Sequence, residues 1–280
     1  MALYITSLNS GSNGNCYYIG NEDDAVLVDA GISCREVAKR MARLNLSMQK
    51  VRAVFISHEH TDHISGVEVL SKKYQLPVYI TQGTLQNSVL KIEPHLVKAF
   101  SAFNPVTIGG ITVTPFPKSH DAKDPHSFIV SYKQVNIGVF TDIGYACQNV
   151  VSYFKQCHAA FLESNYDVDM LMNGGYPRHL KARITGGDGH LSNAQALQLF
   201  LQHKPAYMSH LILSHLSQNN NTPEIVSRLF STNAGGVNII VASRYAETPV
   251  YHINGGGTPG VAGIVKTSKT YTVLRLFEDY

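Results

Sequence analysis

Apolar residues along the chain fall into short runs separated by polar and glycine-containing stretches, a pattern typical of alternating strands and helices. Residues 25–28 form one apolar run that ends at Asp29, and residues 51–57 are apolar at nearly every position. Because a strand covered on both faces shows such a continuous run, we place both segments inside a sheet. Shorter strands are predicted at 78–81, 111–116, 128–132 and 135–141.

Helices are predicted where apolar residues recur at helical spacing, in most cases after a capping residue. Segments of this kind begin at Ser33, Val67, Ser192 and Thr222. Strands in mixed order with helices in both halves predict an α/β sandwich, and no repeat or linker divides residues 1–280 into separate domains. The glycine-rich stretch 255–263 is predicted to be a mobile loop before a final strand over 271–277.

Composition is that of an ordinary globular protein, since 44% of the 280 residues are hydrophobic and the formal net charge is +3. This small charge neither requires nor excludes a polyanionic partner. The N-terminus lacks the features of a secretion signal, and no stretch approaches the roughly 18 apolar residues of a membrane span. We therefore expect a cytoplasmic protein without a membrane partner. The four cysteines lack paired spacing, which predicts free thiols rather than disulfides or a thiolate zinc site.

The strongest chemical signal is the run His58-Glu59-His60-Thr61-Asp62-His63, which follows the apolar segment 51–57. Imidazole and carboxylate groups suit zinc and other borderline divalent ions, and loops beyond strand ends are where sites usually lie. Alternate spacing lets His58 and His60 face one ion while the turn presents Asp62 and His63 to another. The sequence therefore predicts a metal site at this loop.

This run resembles the H-x-H-x-D-H motif of the metallo-β-lactamase superfamily, and further motifs of that family follow in order. The resemblance implies an αββα sandwich of two mixed sheets flanked by helices, with two metal ions. It assigns His120 to the first metal, Asp142 to a bridging position and His215 to the second metal. Asp29 would support the histidine loop from behind the ligands.

Two of these assignments have competitors within the sequence. Asp121 or Asp124 could replace Asp142, but both lie in a polar loop, whereas Asp142 ends an apolar strand. His210 competes with His215 for the last ligand position. Because the two histidines are an odd number of residues apart, an extended chain points them to opposite faces, and only one can face the metals.

The branch of the superfamily is indicated by other residues. Redox members place a glutamate where this chain has His60, which disfavours an iron redox centre. Glu163 and His190 resemble the pair that the phosphodiesterase branch, including ribonuclease Z, places beside its metals. Four segments of the sequence resemble the bacterial WalJ/YycJ-like proteins, namely 9–15, 163–167, 189–193 and 215–223. That likeness implies 5′-to-3′ exonuclease activity on double-stranded DNA, so DNA is favoured over RNA as the substrate.

The expected mechanism uses a hydroxide between two metals about 3.5–4 Å apart as the nucleophile. Zinc is the favoured metal, with manganese or iron as alternatives. Asp62, His190 and Glu163 are the predicted catalytic residues, with Glu163 orienting His190 while it protonates the leaving oxygen. Residues predicted to bind substrate phosphate are Arg178, Lys181, Arg183 and Asn15.

Rival functions remain open at this point. The same metals could serve a lactone or thioester hydrolase or a small-molecule cyclic phosphodiesterase, and Glu163 and His190 would then be incidental to the two hydrolases. A regulator that binds metal without turnover is disfavoured by the complete ligand set. The sequence leaves the oligomeric state undetermined.

Overall fold

Within residues 2–255, which the computed structural model describes, the strands form two seven-stranded sheets. In chain order the strands are β1 (Ala2–Asn9), β2 (Cys16–Gly20), β3 (Ala25–Val28), β4 (Val51–Phe55), β5 (Val78–Ile80), β6 (Val97–Ala99), β7 (Val106–Ile108), β8 (Ile111–Pro117), β9 (His126–Tyr132), β10 (Val135–Phe140), β11 (Ala159–Glu163), β12 (His210–Ser214), β13 (Asn238–Val241) and β14 (Tyr251–Asn254). The predicted strand over 271–277 and all of the predicted loop 255–263 except Gly255 lie outside the described residues.

Nine α-helices lie within the same described range. They are α1 (Cys34–Arg43), α2 (Thr61–Ile64), α3 (Val67–Tyr74), α4 (Gln82–Gln86), α5 (Gln148–Phe154), α6 (Val168–Asn173), α7 (Arg178–Thr185), α8 (Asn193–His203) and α9 (Pro223–Ser231), with 3₁₀ turns at Met48–Lys50 and Pro94–Leu96. None of these helices has the length and apolar character needed to cross a membrane.

The two sheets have related strand orders, which bring functional loops to one edge. The first runs β14-β1-β2-β3-β4-β5-β6 and the second runs β13-β12-β11-β10-β9-β8-β7. Strands β3 to β6 are parallel, as are β10 to β13. In each parallel group the carboxyl ends point the same way, and the loops that leave those ends lie side by side.

The core has three layers of apolar side chains. Phe128, Phe161 and Ile212 belong to the layer between the sheets. Val37 and Leu70, from α1 and α3, cover the outer face of the first sheet. Residues from α5, α8 and α9 cover the outer face of the second sheet. This arrangement confirms the predicted αββα sandwich.

Helix starts follow the capping residues seen in the sequence. The Ser33 side chain accepts a hydrogen bond from the backbone N–H of Glu36, and Ser192 with Gln195 forms a complete capping box at α8. Thr222 caps α9, whose first residue is Pro223. These three predicted helices are confirmed, as is the helix over 67–74.

Strand β1 was not predicted, and it carries two polar residues at buried positions. Thr6 and Ser7 are both fully buried. The Thr6 hydroxyl donates to the carbonyl oxygen of Thr248 at 2.8 Å, and the Ser7 N–H donates to the Thr248 hydroxyl at 3.0 Å. Thr248, which lies 241 residues from Ser7 along the chain, thus satisfies these groups, and local hydrophobic periodicity cannot indicate such a contact.

Candidate metal centre

Three of the predicted site residues stand where strands end and the chain turns sharply. Asp29 directly follows β3, Asp142 lies two residues beyond β10, and His215 directly follows β12. All three adopt the left-handed backbone conformation, with φ of 59°, 54° and 56° respectively. Non-glycine residues rarely adopt it, and the cost is tolerated where surrounding contacts hold the side chain in place. The fold therefore fixes these side chains at the edge shared by both sheets.

His58, His60 and His120 form what we call the imidazole cluster. His58 Nε2 lies 3.1 Å from His60 Nδ1, which in turn lies 3.3 Å from His120 Nε2. The first two residues come from the loop after β4, and His120 comes from the loop after β8. Each sheet therefore contributes to this cluster.

Asp62, His63 and His215 form a second group, the carboxylate cluster. Asp62 Oδ2 lies 3.2 Å from His215 Nε2 and 3.6 Å from His63 Nε2. Asp62 and His63 lie in α2, the single turn that follows the first two histidines, whereas His215 comes from the second sheet. The motif loop thus supplies residues to both clusters.

Asp142 lies between the two clusters. Its Oδ2 is 3.0 Å from His63 Nε2, and its Oδ1 is 3.5 Å from His215 Nε2 and 3.7 Å from His120 Nε2. The Oδ2 atom is buried and, in the described part of the chain, makes no well-aligned hydrogen bond. A buried carboxylate oxygen without a partner is unfavourable unless a cation or proton satisfies it.

The outer nitrogens of three histidines are held by oxygen acceptors. Nδ1 of His63 lies 2.7 Å from Asp29 Oδ2, Nδ1 of His120 lies 3.1 Å from the carbonyl oxygen of Gly189, and Nδ1 of His215 lies 3.1 Å from a Glu163 oxygen. These oxygens can only accept, so each Nδ1 carries a proton, and each Nε2 directs a lone pair inward once it has lost any proton of its own. This arrangement prepares imidazoles for metal binding.

Asp29 organises the motif loop from behind the ligands. Besides contacting His63, it accepts hydrogen bonds from the N–H and the hydroxyl of Ser57, both at 2.8 Å. The Ser57 hydroxyl also lies 2.9 Å from His58 Nδ1. The backbone at Gly31 also packs directly against the motif loop, because an added Cβ there would lie 1.7 Å from the carbonyl oxygen of Asp62. Asp29 therefore supports residues of both clusters.

The convergent atoms fit divalent cations. In each cluster, one nitrogen or oxygen atom from every member lies within 4.8 Å of the others. The imidazole cluster offers three nitrogen ligands, and the carboxylate cluster offers two nitrogens and a carboxylate oxygen. Such mixtures suit zinc and neighbouring divalent metals. The Asp142 Oδ2 atom makes no well-aligned hydrogen bond among the described residues, and a bound cation would satisfy it in place of the proton on His63.

The two clusters differ in protonation in the metal-free protein. Burial lowers the pKa of His58 well below its usual value, and burial also lowers that of His120 to about 4. Burial opposes charge on His63 as well, but Asp142 and Asp29 raise its pKa to about 10. For His215 the same opposition from burial is outweighed by Asp142, and its pKa rises well above the usual value. Near neutral pH, His63 and His215 are therefore charged.

Glu163 and His190 form a hydrogen-bonded pair beside the clusters. His190 Nδ1 donates to Glu163 Oε1 at 2.7 Å, while the other oxygen, Oε2, accepts from the N–H groups of Ile143 at 2.7 Å and Leu191 at 3.2 Å. Burial favours neutral Glu163, yet the charge of His190 and the hydrogen bonds from the His190 and His215 side chains lower its pKa to about 2. The carboxylate is thus a fixed anion that orients the imidazole.

The ring of His190 lies over both clusters at the mouth of the site. Its centroid is 5.2 Å from that of His120 and 5.4 Å from that of His215. The side chain is 18% exposed, whereas Glu163 beneath it is fully buried. His190 can therefore meet a molecule that enters from solvent, and its Nε2 is the nitrogen that Glu163 leaves available.

The competing residues occupy different positions. Asp124 is half-buried and lies near His126, and His210 packs its ring against Tyr251 at a centroid distance of 5.4 Å. Asp121 lies closer, with Oδ1 3.4 Å from His120 Nε2, but its other oxygen is 2.5 Å from Arg183 Nε. The structure thus places Asp142 and His215, rather than these alternatives, among the converging ligand atoms.

The predicted phosphate-binding residues do not form one group. Arg178 is exposed, while Lys181 donates to the carbonyl oxygen of Met172 at 2.7 Å and Arg183 pairs with Asp121. All three lie in α7. Asn15 is fully buried.

The Asn15 side chain lies among the ligands rather than on the surface. Its Nδ2 lies 3.2 Å from Asp62 Oδ2 and 3.1 Å from His63 Nε2. Its position therefore suits ligand orientation, and phosphate binding by Asn15 stays a prediction.

Three supporting residues escaped the sequence analysis. Ser57 links Asp29 to His58, as described above. Asn165 donates through Nδ2 to the carbonyl oxygen of His215 at 2.9 Å. Lys118 is buried, and its Nζ donates to the carbonyl oxygen of Thr141 at 2.6 Å. Ser57 and Lys118 lie near ligands in sequence, but nothing in the local pattern indicates their contacts.

Comparison with known proteins places this site among related chains. Residues 24–216 match a family model described as "Beta-lactamase superfamily domain". Exodeoxyribonuclease YycJ of Bacillus anthracis is 34% identical over 244 residues, which cover 85% of this chain and 92% of the relative. Exodeoxyribonuclease WalJ of Streptococcus pneumoniae is 32% identical over 223 residues, or 78% and 83% of the two chains. Among solved structures, the metallo-beta-lactamase fold protein YhfI from Bacillus subtilis has a TM-score of 0.70 at 18% identity and covers 90% of this chain and 100% of YhfI.

Proposed function

We propose that this chain, which belongs to the metallo-β-lactamase superfamily and is a metal-dependent hydrolase, cleaves phosphodiester bonds of DNA at a centre of two divalent ions. The observation that carries the proposal is the Glu163–His190 pair, which stands over both ligand clusters with an imidazole nitrogen available to the substrate. A proton donor at this position serves the departure of a poor leaving group, such as a nucleotide alkoxide.

One ion would be held by the imidazole cluster and the other by the carboxylate cluster, with Asp142 contributing to both. Zinc suits these ligands, and manganese or iron are the alternatives. Bound there, the ions would supply Lewis acidity, which activates water near neutral pH and neutralises charge on the phosphate oxygens.

The chain's own residues would perform the remaining steps. Asp62, whose Oδ2 lies 3.2 Å from His215 Nε2, would help to hold the ion in the carboxylate cluster. His190, protonated at Nε2, would donate that proton to the leaving oxygen, while its Nδ1–H remains hydrogen-bonded to Glu163. Because Glu163 is buried and anionic, it stabilises the charged imidazole before transfer and keeps the ring aligned.

DNA is proposed as the substrate because the two relatives described above are named exodeoxyribonucleases and align with most of this chain. We further propose 5′-to-3′ digestion of double-stranded DNA in the cytoplasm by a single-domain enzyme. A lactone or thioester hydrolase could use the same ligands. A thioester releases a thiolate, which needs a proton donor less than an alkoxide does, and a lactone hydrolase would be distinguished by the absence of activity on phosphodiesters.

End-labelled DNA and RNA of matching sequence provide the test, each incubated with protein reconstituted with zinc or with manganese. We expect mononucleotides to be released from the 5′ end of duplex DNA, with little digestion of RNA and none after metal removal by a chelator. Parallel assays with a bis-aryl phosphodiester and a thioester separate the reaction classes. Hydrolysis of the thioester with no cleavage of any phosphodiester would contradict the proposal.

A further inference from the structure

Arg244 lies in the loop after β13, beside the segment that carries His215. Its Nη2 donates to the carbonyl oxygen of Leu216 at 2.6 Å, and its Nη1 donates to Oε1 of Gln218 at 3.0 Å. The Arg244 side chain is half-buried. These contacts hold the guanidinium next to a proposed metal ligand while leaving part of it open to solvent.

The same side chain rests on the loop between β1 and β2. An added Cβ at Gly11, where φ is 139°, would lie 3.2 Å from Nη2 of Arg244, so a glycine there permits the close approach. Asn13 Nδ2 donates to the carbonyl oxygen of Arg244 at 3.0 Å. This loop continues to Asn15, whose Nδ2 donates to Asp62 Oδ2. Arg244 therefore bridges two loops that both reach the carboxylate cluster.

The charge of Arg244 lacks a carboxylate partner in the described part of the chain. Arg52 pairs with Asp24 at 2.6 Å and Arg183 pairs with Asp121 at 2.5 Å, whereas no described carboxylate oxygen lies within 4.0 Å of the Arg244 guanidinium. A guanidinium has five N–H donors, and the two contacts above leave three of them unpartnered among the described residues. Such a group binds phosphate oxygens in a bidentate manner.

Two tyrosines lie in the same region as this guanidinium, since Tyr245 directly follows Arg244 and Tyr176 contacts the residue after Gln218. Tyr245 is 76% exposed, and the Tyr176 hydroxyl accepts a hydrogen bond from Asn219 Nδ2 at 3.1 Å. Burial lowers the pKa of Arg244, and the phenols of Tyr245 and Tyr176 oppose that shift. Basic groups interleaved with aromatic faces bind nucleic-acid strands, since the cation holds the backbone and the ring stacks on a base.

We infer that Arg244 binds a phosphate of the substrate strand adjacent to the scissile bond, with the exposed ring of Tyr245 beside it as a stacking surface for a neighbouring base. This inference rests on the proposed DNA hydrolysis and adds a backbone-recognition subsite at the rim of the carboxylate cluster. It differs from the basic face of α7, where Arg183 is already paired.

The test compares Arg244→Gln with Arg52→Gln, an exposed arginine of the first sheet, on duplex DNA and on bis(4-nitrophenyl) phosphate. For Arg244→Gln we expect KM for DNA to rise about tenfold or more, as for a lost charge-assisted hydrogen bond. The slope of log(kcat/KM) against log salt should fall by about one. Metal content and hydrolysis of the small ester should match the unsubstituted protein. Arg244→Lys should restore part of the affinity, and Arg52→Gln should change neither KM nor slope.

Three results would overturn the inference. The first is an unchanged KM and salt slope for Arg244→Gln. The second is loss of metal, or an equal loss on the small ester, which would make Arg244 a support for the His215 loop. The third is an equal affinity of Arg244→Gln and the unsubstituted protein for a labelled DNA duplex, measured by fluorescence anisotropy. This binding measurement tests the subsite even if the unsubstituted protein cleaves no DNA and the proposed function fails.

Discussion

The imidazole cluster and the carboxylate cluster lie side by side but present a metal with different chemistry. His58 and His120 are uncharged near neutral pH, because burial lowers the pKa of each. His63 and His215 are charged in the metal-free protein, because carboxylates beside them outweigh burial. A cation can therefore bind His58 and His120 without displacing a proton from them, whereas binding to His63 and His215 must release protons.

This difference shows how one ligand loop can serve two unlike sites. The loop after β4 supplies two residues to each cluster, and the partners from the second sheet differ. Lys118 places a buried positive charge that lowers the pKa of His58 further, after burial and His63. Asp142 reaches His63 at 3.0 Å but His120 only at 3.7 Å. Its anionic charge therefore acts more strongly on the carboxylate cluster.

Removing one ligand should have the largest effect and should separate the clusters. Asp62→Ala or His215→Ala is expected to reduce bound metal from about two ions to about one per chain, because each side chain belongs to the carboxylate cluster and not to the imidazole cluster. Elemental analysis after reconstitution and gel filtration measures this. His210→Ala, on the same strand but packed against Tyr251, is the matched control and should retain both ions. Loss of both ions from His215→Ala would contradict independent sites.

The next largest expected effect is a difference between the two clusters in how their metal affinity changes with pH. His63, with a pKa of about 10, and His215 both hold a proton that metal must displace, so raising the pH favours binding. Between about pH 6 and pH 8, affinity at the carboxylate cluster should rise about tenfold per proton for each pH unit. The imidazole cluster should change less.

Competition with a chelator of known affinity at several pH values gives both constants. Calorimetry in two buffers with different ionisation enthalpies counts the released protons. We expect about two protons to accompany the ion that enters the carboxylate cluster near neutral pH. Equal pH dependence at the two clusters would contradict the comparison.

Asp29→Asn should weaken both clusters by an intermediate amount. The Asp29 carboxylate accepts hydrogen bonds from His63 and from Ser57, which in turn contacts His58. Losing such a support costs about 10–100-fold in metal affinity or activity. The same chelator competition measures the change, and Asp24→Asn, which disturbs an exposed pair with Arg52, is the control. An effect confined to the imidazole cluster would show that the contact with His63 is unimportant.

The smallest expected effect concerns the basic residues of α7. Replacing Arg178, Lys181 and Arg183 with glutamine should raise KM for DNA a few-fold and flatten its salt dependence slightly, because two of the three side chains already have partners. Steady-state kinetics at several salt concentrations provide the measurement. An unchanged salt dependence would identify this helix face as merely solvated.

The site residues that could be predicted from the sequence are those that lie together in one short segment of the chain. His58 to His63 stand together after an apolar run, so their shared role is visible locally. His120, Asp142 and His215 follow three different strands, and their assignment needed the family resemblance. Ser57 and Asn165 act through contacts that form only when the sheets pack, as does the burial of β1 through Thr248. No local pattern encodes such contacts.

The same limit explains why the sequence pointed to α7 rather than to Arg244 as a basic surface. Arg178, Lys181 and Arg183 are close in sequence, which suggested a patch. Arg244 stands alone in the sequence, and only the fold brings it beside the loop of His215 and away from described carboxylates. Whether a basic side chain is neutralised depends on the groups that lie near it in the folded protein. Clustering of basic residues along the sequence therefore overestimates the basic surface of α7 and gives no indication of Arg244.

We propose that His190 protonates the leaving oxygen of a phosphodiester. The activity of His190→Ala on two substrates decides whether it does. The variant should retain its metal yet cleave DNA about 10²–10⁴-fold more slowly, the range usual for a positioned acid. It should be far less impaired on bis(4-nitrophenyl) phosphate, because a nitrophenolate leaves without a proton. Glu163→Gln should show the same pattern more weakly, since it keeps His190 and removes the charge that orients it; Glu163 also contacts His215 Nδ1, so metal content is measured alongside. Equal losses on both substrates would contradict proton donation and make His190 a phosphate-positioning residue, and no loss on either would remove it from the reaction.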